Sequence, residues 1–97
     1  MKREYVEKTR KMVLSGLRDE NVAIGLFGSV AHGSLGRGSD IDVAIVPKGE
    51  WSRWKLSRLR DELEESTIPY KIDLVDLSVV SPEFRHSILQ DIVWWRR

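Results

Sequence analysis

Residues 28–42, GSVAHGSLGRGSDID, constrain this chain more than any other stretch. A Gly-Ser pair closes one apolar strand, Val22 to Phe27, and ten residues later Asp40-Ile41-Asp42 opens the next strand, Asp40 to Val46. Residues 28–39 hold four glycines and three serines, so they predict a loop, with a short helix starting at Ser29. Small residues that admit a phosphate to the backbone therefore stand one loop away from two carboxylates that suit Mg²⁺. That juxtaposition points to phosphoryl or nucleotidyl transfer.

The flanking pattern predicts a small α/β (α+β) domain. Tyr5, Thr9, Met12, Val13, Gly16 and Leu17 recur at three- and four-residue spacing, so residues 2–18 read as an amphipathic helix. A charged helix over Glu50 to Glu65 buries Leu56, Leu59 and Leu63. After Pro69, Lys71 to Leu77 alternate as a third strand. Ser81-Pro82 starts a last helix reaching about Gln90, with a hydroxyl at its N-cap and proline at its first position. Ile92 to Trp95 form a fourth strand. The order α-β-α-β-α-β-α-β implies a mixed or largely antiparallel sheet with flanking helices, and residues 1–97 are expected to form a single domain.

Side chains alternate along a strand, which puts Asp40 and Asp42 on one face and Ile41, Val43 and Ile45 on the other. Two such carboxylates repel each other and are easier to keep ionised around a divalent cation. Asp73 and Asp76 have opposite parity, so only one of them can share that face. Asp73, between Ile72 and Leu74, is the candidate, because an acid among apolar neighbours needs a partner. Asp76 caps the strand end or is solvated. On the other side, Gly28 and Ser29 offer backbone N–H groups and a hydroxyl to a phosphate, while Gly33, Gly36 and Gly38 let the loop fold close to a ligand. A glycine-rich loop is commonly only a loop, and an isolated Asp-x-Asp is commonly a solvated strand end. The conjunction with a later acid is what carries the chemistry. Ser34-Leu35 replaces the Lys-Ser/Thr of a P-loop, and no G-x-G-x-x-G can be placed.

Bulk properties exclude other classes. Sixteen basic and fifteen acidic residues leave a net charge of +1, so nucleic acid finds no global field and is not an expected partner. The absence of cysteine removes disulfides, thiolate metal sites and cysteine nucleophiles. Neither a signal peptide nor an apolar run of the ~20 residues that span a bilayer is visible, which predicts a cytoplasmic protein without a membrane partner.

Gly28-Ser29, ten residues, then Asp40-Ile41-Asp42 resembles the signature of the DNA polymerase β-type nucleotidyltransferase superfamily. The short length is similar to its minimal nucleotidyltransferases, single-domain members often paired with HEPN-type proteins. The resemblance implies that Gly28 and Ser29, with Gly33 and Ser39, contact a nucleoside triphosphate, here ATP. It implies that Asp40, Asp42 and Asp73 hold two Mg²⁺ ions, and that Asp73 also helps activate the attacking hydroxyl. The implied function is transfer of AMP to an acceptor hydroxyl, as the antitoxin of a HEPN toxin. Members often carry arginine where this chain has His32, whose charge is partial near neutrality.

The remaining motifs leave alternatives open. His32 and Arg37 reach a phosphate or are solvated, and His86 is structural or solvated. Trp54 falls opposite the buried leucines of its helix, Trp51 staples the helix start to the core, and Trp94 and Trp95 cannot both point inward. An exposed tryptophan suggests a partner surface, with self-association as one form of it. The competing readings are a binding module that neutralises its partner by contact alone, and a nucleotidyltransferase acting on a small molecule.

Overall fold

The computed structural model describes residues 3–33 and 40–97; the expectations for Gly36, Arg37, Gly38 and Ser39 lie outside these residues. The element order is α1 (Arg3–Gly16), β1 (Val22–Phe27), α2 (Gly28–Ala31), β2 (Ile41–Pro47), α3 (Lys55–Glu64), β3 (Ile72–Asp76), a 3₁₀ turn (Leu77–Val79), α4 (Pro82–Asp91) and β4 (Val93–Arg96). The sheet order is β3-β2-β1-β4. β1 pairs antiparallel with both β2 and β4, and β2 pairs parallel with β3, so the sheet is mixed. A parallel pair needs a long crossover, and α3 lies in the segment between β2 and β3.

The two sheet faces carry separate apolar clusters. On one face Val6 and Val13 of α1, Leu17 just after it, and Leu56, Leu59 and Leu63 of α3 pack against Ile24, Leu26, Ile41, Val43, Ile45 and Leu74. The spacing that predicted α1 is the spacing that buries it. Thr9, fully buried, donates its hydroxyl to the Tyr5 carbonyl at 2.7 Å, so no polar group is orphaned there. On the other face Ala44, Leu77 and Ile88 form a smaller cluster with Phe27, Val75 and Ile92 around it. α4 begins as expected, with the Ser81 hydroxyl accepting from the Phe84 N–H at 3.2 Å and Pro82 at the first helical position. Among the described residues, no helix is long and apolar enough to cross a membrane.

α3 starts at Lys55, five residues later than the charge pattern predicts. Tertiary contacts hold the preceding segment out of the helix. Glu20 accepts from the Ser52 N–H at 2.6 Å and pairs with the Lys55 ammonium at 2.7 Å. Trp51 packs against the main core, as a staple would. Trp54 points away and is 62% exposed. Of the C-terminal pair, Trp95 packs on the main core while Trp94 lies half-buried beneath the Arg97 guanidinium, 4.9 Å from its ring.

β4 reaches the sheet because two features admit it. Gly25 leaves the room: a Cβ there would stand 2.5 Å from Ile92 Cγ1. Arg96 then ties the strand down, donating to the carbonyls of Leu17 (3.0 Å), Glu20 (2.9 Å) and Val22 (2.8 Å). These carbonyls belong to the turn between α1 and β1 and to the first residue of β1, so one guanidinium joins the last strand to the first α–β connection. Charge-assisted bonds of this kind contribute more than neutral ones. Replacing Arg96 with Met should lower the unfolding free energy by about 2 kcal/mol, read from urea midpoints at unchanged slope. A midpoint equal to wild type would show that the clamp adds nothing.

Candidate metal and nucleotide site

Strand alternation delivers the acids where the sequence predicts. Ile41, Val43 and Ile45 enter the main core, which leaves Asp40 and Asp42 on the opposite face. The parallel register sets Asp42 beside Asp73, and the antiparallel register sets it across from Phe27. Carboxylate oxygens of Asp40, Asp42 and Asp73 all lie within 4.8 Å of one another. Asp40 immediately precedes β2 rather than opening it. Asp76 behaves differently. It caps the 3₁₀ turn, accepting from the Ser78 N–H at 2.8 Å and the Ser78 hydroxyl at 2.7 Å, and it is buried rather than solvated. Burial alone would raise its carboxyl, but the Ser78 bonds and the Arg53 guanidinium outweigh that and hold it below the usual carboxylate range.

Gly28 joins the loop to the acids. Its φ is +77°, and a Cβ there would stand 2.4 Å from Asp42 Oδ2. Only glycine accepts both the backbone conformation and the contact. α2 follows at once, with Val30 buried beneath it and Ser29 exposed. Gly33 also has positive φ, +86°, but nothing lies within 4 Å of the Cβ it lacks. His32 is exposed after α2, and His86 is exposed and bonded to Gln90 at 3.1 Å.

The electrostatics favour a cation. Burial first, and then the negative charges of Asp73 and Asp40, push the Asp42 carboxyl above its usual range, while Lys71 pulls the other way. Lys71 is a site residue that neither the Gly-Ser nor the Asp-x-Asp pattern marks. Its position two residues before Asp73, hence on the same strand face, was the available signal. Oxygens sharing one Mg²⁺ stand roughly 3–4 Å apart, given Mg–O lengths of about 2.0–2.1 Å. Three hard oxygen donors within 4.8 Å fit such an ion with small side-chain adjustments.

Comparison with known proteins agrees with this chemistry. The family described as "Polymerase beta, Nucleotidyltransferase" matches residues 12–95, and the chain belongs to that family. A Haemophilus influenzae protein named "Probable protein adenylyltransferase MntA" is 34% identical over 62 residues, which are 64% of this chain and 54% of that protein. The match thus spans about half the length of this curated relative. A solved structure described as a minimal nucleotidyltransferase superposes with a TM-score of 0.74 at 26% identity, covering 96% of this chain and 95% of the other. A chain from a toxin–antitoxin structure with AMP-PNP gives a TM-score of 0.70 at 27% identity, covering 91% of this chain and 73% of that one.

Two outcomes follow from the geometry. A carboxyl whose pKa is raised on folding contributes stability below its unfolded pKa and loses it as pH rises through the folded one. Asp42→Asn should therefore raise the Tm of the metal-free protein at neutral and alkaline pH, with the gain shrinking on acidification through the raised pKa of Asp42. A gain independent of pH would contradict the assignment. Gly28→Ala should cost about 1–3 kcal/mol of stability from backbone strain and also weaken Mg²⁺ binding measured by calorimetry. Gly33→Ala, with open space around it, should cost strain alone and leave Mg²⁺ binding intact.

Proposed function

We propose that this member of the nucleotidyltransferase family transfers AMP from ATP to a hydroxyl of an acceptor protein, acting as the antitoxin of a HEPN-type toxin in the cytoplasm. The observation that carries the reading is the cluster of Asp40, Asp42 and Asp73 with Gly28 lying directly against Asp42. In this reading residues 1–97 act as one minimal nucleotidyltransferase domain. The protein-adenylyltransferase name of the Haemophilus relative and the AMP-PNP of the toxin–antitoxin structure support the nucleotide and the kind of acceptor.

Each residue then has a task. Gly28 and Ser29, with Gly33, meet the triphosphate through backbone N–H groups and the exposed Ser29 hydroxyl; Ser39 belongs to this set through the family pattern. Asp40, Asp42 and Asp73 would hold Mg²⁺, two ions in this reading, which when bound would supply charge neutralisation to an in-line displacement. Asp73 carboxylate takes the proton of the acceptor hydroxyl. The hydroxyl oxygen bonds to the α-phosphorus as its bond to the bridging oxygen breaks, and pyrophosphate leaves. Lys71 keeps Asp42 closer to its ionised form and so readier to bind metal.

The test is incubation with α-labelled ATP, Mg²⁺ and the product of the adjacent reading frame, which this reading expects to be a HEPN-type protein. Label should appear on the HEPN protein, vanish with chelator, and fall at least about a hundredfold for Asp42→Asn. No label from wild type, or equal label from the variant, would sink the enzymatic reading. Label on a small molecule instead would move the acceptor class.

A further inference from the structure

β3 is an edge strand, and its outer edge runs away from the three acids. A hollow of about 570 Å³ opens at its start, and a second of about 390 Å³, formed by α3 and the residues before it, meets the first at Arg60. The first is floored by Leu63, Ile68, Tyr70 and Ile72 and ends on Asp73. The second holds Arg53, Ser57 and Trp54, whose ring is the most exposed large aromatic surface among the described residues. α3 and the segment before it stay in step with β3, since Arg60 Nη2 donates to the Leu74 carbonyl at 2.8 Å and Arg53 Nε to Asp76 Oδ2 at 2.8 Å. From Asp73 to Asp76 the edge covers about 10 Å at ~3.3 Å per residue.

We propose that the protein carrying the acceptor hydroxyl docks along this edge, with Asp73 at the reactive end of the contact and Trp54 as its far anchor. The inference rests on the transferase reading above. In-line displacement sets the incoming and leaving oxygens on opposite sides of the phosphorus. Across the sheet, Gly28 and Ser29 follow β1, Asp42 lies in β2 and Asp73 in β3. With the departing phosphates on the β1 side, the acceptor enters from the β3 side, where the first hollow opens.

The chemistry of the strip selects a folded protein surface. Lys71 O accepts from the Ile41 N–H at 2.9 Å, so by alternation the Leu74 carbonyl faces outward. Arg60 already covers that carbonyl, which blocks addition of another strand there. Recognition therefore runs through side chains: an apolar floor, the cations Arg60 and Lys71 with the acids Glu64 and Asp73, the latter turned to the three-acid cluster, and an exposed tryptophan. Tryptophan and arginine are the residues that most often dominate protein–protein contacts. The complement is an acceptor surface with acidic and apolar side chains beside its reactive hydroxyl.

The product of the adjacent reading frame, expected to be the HEPN-type acceptor, is titrated against wild type, Trp54→Ala and Arg60→Glu by calorimetry without ATP. Transfer kinetics and the thermal shift by Mg·ATP are measured in parallel. Each variant should weaken acceptor binding about tenfold or more and raise the KM for acceptor in proportion, with the Mg·ATP shift equal to wild type. Acceptor binding equal to wild type in both variants would overturn the docking strip. Loss of the Mg·ATP shift would overturn it too, by assigning the hollow to the nucleotide. Acceptor binding that is weakened by both variants while wild type transfers no AMP would leave the strip standing and remove the transferase reading.

Discussion

Three carboxylates brought within 4.8 Å of one another repel, and the rest of this small fold is what holds them there. Asp42 is fixed twice, by the parallel register with Asp73 and by the Gly28 Cα lying against its carboxylate. Neither contact would persist without the apolar clusters on both faces of the sheet, because each acid alone would turn toward water. The upward push on Asp42 is the local sign of that conflict. A cation would relieve it, so the candidate metal site coincides with the one carboxyl pushed above its usual range among the described residues.

The registers of the two strand pairs make the site compact. β1 ends at Phe27, across from Asp42, so the chain turning at Gly28 passes directly over the acid. β3 runs parallel to β2, so its N-terminal end brings Asp73 to the same end of the sheet. An antiparallel β3 would need another position to bring Asp73 beside Asp42. At the opposite edge, Arg96 secures β4 to the turn before β1 and thereby supports the strand from which the loop springs.

What the sequence made legible was local. The limits of β1, the buried leucines of α3, the Ser81-Pro82 helix start and the shared face of Asp40 and Asp42 all depend on spacing within a few residues. What it left open depended on distant partners. α3 starts late because Glu20, thirty-two residues before Ser52, takes that residue's N–H. Asp76 is buried because Arg53 and Ser78 meet it, and alternation alone could say only that it differs from Asp73. The choice of a parallel partner for β2 is likewise set by how α3 crosses the sheet. The chemistry around Ser39 rests on the family pattern, since that residue lies outside those described.

The two perturbed aspartates also separate function from folding along the pH axis. Asp42 is displaced upward and Asp76 downward, each from the same ordinary value. Stability contributed by a depressed carboxyl is present above its unfolded pKa and is lost only as pH falls through the lower folded one. On acidification Asp42 therefore takes up its proton first, and protons would compete with a metal there while the cap at Asp76 and its bond to Arg53 still hold. The order would reverse if the acid serving the metal were the well-bonded one. Because the site acid is half-buried among like charges and the structural acid is buried among donors, a cation at the cluster would be lost and regained without the strand that carries Asp73 coming apart.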